Sequence, residues 1–102
     1  MAVTEQQLST FKRNMDSALS AFQKSHEDFD KTFEKVVSGH GKLDTPRPGT
    51  RPEQPLNEWN RDLQRSSTAL NEIVKNMQNL ANMTSRYHQA RILFEQESAA
   101  KA

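Results

Sequence analysis

Three histidines, thirteen acidic side chains and no cysteine bound the chemistry open to this chain. The missing thiols exclude disulfides, thiolate metal sites and cysteine nucleophiles. A helical metal site needs ligands one turn apart, as in His-x-x-x-His or Glu-x-x-His, so that two of them reach one ion. His26, His40 and His88 stand in neither arrangement. The group His26-Glu27-Asp28 with Asp30 reads as a charged helix face. Gly39-His40-Gly41 lacks the Gly-x-x-x-x-Gly-Lys-Ser/Thr spacing that cradles phosphate, and no strand precedes it. No Gly-x-Ser-x-Gly elbow occurs. The expectation is a chain that is not an enzyme, with no catalytic residue, no metal site and no cofactor.

Charge points the same way. Fourteen basic and thirteen acidic residues leave a net charge of +1, with both signs interspersed. The longest basic cluster is Lys12-Arg13, too little for a nucleic-acid face, so no nucleic acid is expected as a partner. No apolar run approaches the ~18–20 residues of a membrane span. The start, Met1 to Gln7, lacks the basic and apolar segments of a cleaved signal. These features predict a cytoplasmic protein, or alternatively one exported without a cleaved signal.

The elements that must carry any function are set by glycine and proline. All three glycines and all four prolines fall between Gly39 and Pro55. Helices avoid both residues internally, because glycine costs backbone entropy and proline lacks the N–H. The flanks are therefore free to be helical. Thr4 and Gln7 form a capping box, with Val3 and Leu8 placed as a hydrophobic staple. Leu8, Met15, Phe22, Phe29 and Val36 then recur every seventh residue, accompanied by Phe11, Ala18, Ser25 and Thr32. After Pro55, Leu56, Leu63, Leu70 and Met77 form one series, and Trp59, Ser66, Ile73, Leu80, Tyr87 and Phe94 a second. Such spacing is helical and excludes the alternation of a strand. The fold expected is all-α: two long amphipathic helices, 5–38 and 56–97, forming a coiled-coil-like hairpin, joined by a Pro/Gly-rich connector, 39–55. Gly39 is expected as the residue that stops the first helix. Pro52-Glu53-Gln54-Pro55 in the connector matches a Pro-x-x-Pro docking pattern, although a plain spacer explains it as well.

Apolar residues make up only 33% of the chain, enough for a narrow seam and short of a multilayer core. Laid antiparallel, the two series can interdigitate. Val36 is expected opposite Trp59, Phe29 opposite Ser66, Phe22 opposite Ile73, Met15 opposite Leu80 and Leu8 opposite Tyr87. Thr32–Leu63, Ser25–Leu70, Ala18–Met77 and Phe11–Thr84 interleave between them. A two-helix seam covers each side chain on one side only, so Leu19, Phe33, Val74, Ala81 and Met83 are expected to remain partly exposed. That residual apolar surface predicts association with other helices, in an oligomer or a larger complex. The expected interface is Leu8, Phe11, Met15, Phe22, Phe29 and Val36 of the first helix. From the second it takes Trp59, Leu63, Leu70, Ile73, Met77, Leu80, Tyr87, Arg91 and Phe94. Arg91 sits in the seam series: either its stem lies along the surface of a fraying helix end, or it pairs with an acid across a helical interface and fixes register.

The helix–loop–helix layout resembles that of the small WXG100-type secreted proteins, with Trp59-Asn60-Arg61 in place of their Trp-x-Gly and with Arg91, not an acid, four residues after Tyr87. Pro55-Leu56 through Leu63-Gln64, with the tail Ser85-Arg86-Tyr87-His88-Gln89-Ala90, is similar to type III secretion needle and inner-rod subunits and to flagellar rod subunits. The residues themselves predict a non-catalytic helical assembly subunit whose partners are other protein helices, in copies of itself or in a hetero-complex. The resemblances imply an alternative, an exported hairpin that polymerises after secretion.

Overall fold

The computed structural model describes residues 3–43 and 53–101. Two helices account for nearly all of them: α1, Glu5–Leu43, and α2, Glu53–Lys101. They form a coiled-coil-like hairpin. The pairing divides into two compact units, one of Met1–Gln23 with Lys75–Ala102 and one of Lys24–Val74.

α1 starts as its sequence dictates. The Gln7 amide donates to Thr4 Oγ1 at 3.1 Å, and the Thr4 amide donates to Gln7 Oε1 at 3.0 Å. This reciprocal box satisfies amides that have no partner inside the helix. Leu8 N donates to Thr4 O at 3.0 Å, closing the first turn, and Val3 and Leu8 are both half-buried.

The helix ends differ from expectation. α1 does not stop at Gly39 but continues to Leu43, and α2 begins at Glu53. Gly39 is half-buried and faces Trp59. A Cβ built there would stand 3.2 Å from Trp59 Cδ1, so the absent side chain makes room for the indole. Trp59 Nε1 also donates to Val36 O at 3.1 Å. Packing thus offsets the cost of about 1 kcal/mol that glycine carries inside a helix. Pro55 sits in the first turn of α2, where its missing N–H removes no bond. The rest of the expected connector, including Pro52 of the Pro-x-x-Pro, lies outside the described residues.

The buried rows fix the packing. On α1 every covered residue falls in the expected heptad: Leu8, Phe11, Met15, Ala18, Phe22, Ser25, Phe29, Thr32 and Val36, continued by Gly39 and Leu43. On α2 one expected row is covered, Trp59, Ser66, Ile73, Leu80, Tyr87 and Phe94. Its companion is not the leucine row but Asp62, Ala69, Asn76, Met83, Ala90 and Glu97. Registers a heptad apart pair the covered residues equally well, and the contact between Gly39 and Trp59 selects the one that sets these two opposite each other. This lies three residues from the expected register.

Within the unit Lys24–Val74 that register sets Thr32 opposite Ser66, Phe29 opposite Ala69 and Ser25 opposite Ile73. Within the other unit Phe22 stands opposite Asn76, Ala18 opposite Leu80 and Leu8 opposite Ala90. Asn76 Nδ2 reaches Ala21 O at 3.4 Å. In the layers of Phe29, Ser25, Phe22, Ala18 and Leu8 a large residue faces a smaller one, which helps a seam reach close packing, while Phe11–Tyr87 and Met15–Met83 pair two large residues. A single seam still buries little. Ala18, Val36, Ile73 and Ala90 are the buried apolar residues among those described, and none of the large side chains is fully enclosed.

Candidate interaction faces

With the seam rows written a and d, the leucine row of α2 becomes row e. In an antiparallel pair the e rows of both helices flank one side of the seam and the g rows flank the other. Leu56, Leu63 and Leu70 lie in row e and are 48%, 42% and 47% exposed, while Ile73, three residues after Leu70, is 7% exposed. Met77, in the same row, is also about half exposed. Of the interface residues read from sequence, Val36 and Ile73 are buried in the seam. Leu8, Phe11, Met15, Phe22, Phe29, Trp59, Leu80, Tyr87 and Phe94 are half-buried there. Leu63, Leu70 and Met77 lie outside the seam and are about half exposed.

Arg91 also falls in row e, outside the seam. It donates from Nε to Glu95 Oε1 at 3.0 Å, one turn along its own helix, with both side chains more than half exposed. That carboxylate holds the guanidinium pKa above its ordinary value. Within the chain its partner is therefore intrahelical, and its side chain lies at the exposed surface. Among the flanking residues expected to be partly exposed, Leu19, Phe33, Val74 and Ala81 are exposed, and Met83 is half-buried in the seam.

The unit Lys24–Val74 has two unlike faces. On the side of rows g and c, α1 presents Lys24, Asp28, Lys31, Lys35, Ser38 and Lys42, and α2 presents Glu58, Arg61, Arg65, Thr68 and Glu72. Ser38 and Thr68 alone among them are uncharged, and all are exposed. On the side of rows e and b, α1 presents His26, Asp30, Phe33, Val37 and His40, and α2 presents Leu56, Asn60, Leu63, Ser67, Leu70 and Val74. Among the residues whose side chains are described, Asp30 is the single acid there and no lysine or arginine occurs. Its Oδ2 lies 3.3 Å from His26 Nδ1. Phe33, 49% exposed, stacks on Phe29 of the seam at a centroid distance of 5.6 Å, and so joins the outer face to the core. His40 tilts against Trp59 at 6.0 Å.

The unit Met1–Gln23 with Lys75–Ala102 has no such division. Its rows e and b mix Leu19, Met77 and Ala81 with Lys12, Asp16, His88 and the Arg91–Glu95 pair.

A shallow depression of about 600 Å³ is lined by Ser9, Lys12, Arg13, Asp16, Ser17 and Ser20, and another of about 380 Å³ by Thr4, Gln6, Gln7, Thr10 and Phe11. Each is lined by one stretch of chain around α1, so side chains do not converge on either from opposite walls. Among the described residues no three His, Asp or Glu side chains stand close enough to hold a metal ion. Nor is any helix there long and apolar enough to cross a membrane.

The row that sequence reasoning misplaced was detectable. Reversing the 3–4 spacing of α1 onto α2 selects Asp62, Ala69 and Asn76 once Trp59 is set against a glycine. Comparison with protein-family models, with curated proteins and with solved structures returns no match to this chain.

Proposed function

We propose that this protein is a non-catalytic helical assembly subunit that works by packing its hairpin against other helices. One observation carries the reading: the charge-poor face of the unit Lys24–Val74, with its exposed leucine row, lies beside the seam. A solvated helix surface carries charge, as the opposite face does. Interface centres are depleted of charge and rich in large apolar groups. The hairpin thus holds two apolar rows on α2, one used by α1 and one still open.

A narrower form of the reading is an exported hairpin that polymerises after secretion. Its support is the resemblance of the Pro55–Gln64 and Ser85–Ala90 segments to needle and rod subunits. The test is purification of the tagged chain from its native source, beside the double variant Leu63→Asp/Leu70→Asp, followed by mass spectrometry. Specific protein partners that the variant loses are the expected result. If both chains bring down the same proteins in equal amounts, the open face is not the working surface.

A further inference from the structure

We infer that the largely apolar face of the unit Lys24–Val74 is occupied by the same face of a second copy of this chain, giving a closed four-helix dimer. The inference rests on the assembly reading above and names its partner. Phe33, Val37, Leu56, Leu63, Leu70 and Val74 are each 42–57% exposed on this one face. That places it within the ~300–600 Å² range typical of a functional apolar patch. Two such faces, with the polar residues framing them, bury on the order of 1,200 Å², the lower edge of a stable dimer.

Charge selects the occupant. A strongly basic or acidic partner would find only Asp30 to answer it, and Asp30 already contacts His26 at 3.3 Å. A second copy brings one described acid, Asp30, which already contacts His26, and it meets the α2 residues Leu56, Asn60, Leu63, Ser67, Leu70 and Val74, none of them charged. Any amide or hydroxyl brought to the interface by a two-fold can meet its own kind, since both groups donate and accept. The alternation of leucine with Asn60 and Ser67 also lets large side chains of one copy settle over small ones of the other. Growth then stops. The opposite face carries Lys24, Lys31, Lys35, Arg61 and Arg65 among its charges, so the dimer turns a hydrated surface outward on both sides. An isologous contact that uses one patch twice closes in this way.

The test is sedimentation equilibrium of the full chain over a wide concentration range, with circular dichroism on every sample. Wild type is expected to reach twice the monomer mass. Leu63→Asp/Leu70→Asp is expected to self-associate at least ~100-fold more weakly at unchanged helicity, because both side chains lie outside the seam. Arg61→Ala/Arg65→Ala, on the charged face, is expected to dimerise as wild type does. Because the chain has no cysteine, a spin label on Ser67→Cys gives an independent reading, with a shorter distance between copies than a label on Arg65→Cys. A wild type that stays monomeric throughout overturns the inference, as do undiminished dimerisation of the Asp variant and equal label distances. If wild type is monomeric yet the Asp variant loses its native partners, the assembly reading stands and the second copy is the wrong occupant.

Discussion

Leu70 and Ile73 are three residues apart on one helix, chemically alike, and assigned opposite fates by the register. Truncating each to alanine removes three carbon groups. At Ile73, 7% exposed, about 0.8 kcal/mol per buried group gives ~2.4 kcal/mol. A few tenths return because alanine is the better helix former. A one-sided seam can also close over the gap, so the loss is expected at the low end of the 2–5 kcal/mol range for such truncations, about 2 kcal/mol. At Leu70, 47% exposed, about half of the side chain is shielded, and the same arithmetic then gives ~1 kcal/mol. Urea unfolding followed by circular dichroism reads the difference, at concentrations low enough that association adds nothing. Ile73→Ala is expected to lower the midpoint clearly more than Leu70→Ala. Equal losses, or a larger loss at Leu70, would put the leucine row in the seam and refute the register argued from Gly39 and Trp59.

Three further substitutions probe the ends of α1. Gly41→Ala meets open space and is expected to stabilise the hairpin by about 0.5–1 kcal/mol, whereas Gly39→Ala pushes a methyl to 3.2 Å from the tethered indole of Trp59 and is expected to fall at least ~1 kcal/mol below it. Thermal melts of the pair decide it, and equal stabilisation would mean that Trp59 does not seat against α1. Thr4→Ala removes the acceptor of the Gln7 amide at 3.1 Å and is expected to cost about 1 kcal/mol. Amide hydrogen exchange should localise that loss to the first turns of α1, and unchanged protection there would count against the cap.

The sequence was legible wherever one pattern had one solution. On α1 a single row pair is apolar, so periodicity and capping box together specified the helix, its start and its buried face. α2 holds two rows that could each partner the row of Trp59, Ile73 and Leu80. Hydrophobicity favours Leu56, Leu63, Leu70 and Met77 over Asp62, Ala69 and Asn76. Packing decides otherwise, because Phe29 and Phe22 already fill those layers and leave room only for Ala69 and Asn76. The order of burial therefore follows volume matched across the seam, which a count of apolar residues along one helix does not contain. Gly39 misled for a related reason. Its usual meaning is a helix stop, but here the missing side chain is what the opposing tryptophan requires. Arg91 reads as a seam residue only while the leucine row is taken for the seam.

The claim that one face of this hairpin is an interface and the other a solvated surface can be measured residue by residue. With no native cysteine, single cysteines at Leu63 and Leu70 on the charge-poor face, and at Arg61 and Arg65 on the charged face, can each be labelled with a thiol reagent. The comparison is between dilute chain and chain at assembling concentration. The predicted result is protection at positions 63 and 70 that appears only on assembly, with labelling at 61 and 65 fast throughout. Equal labelling rates on both faces in the assembled state would contradict the account.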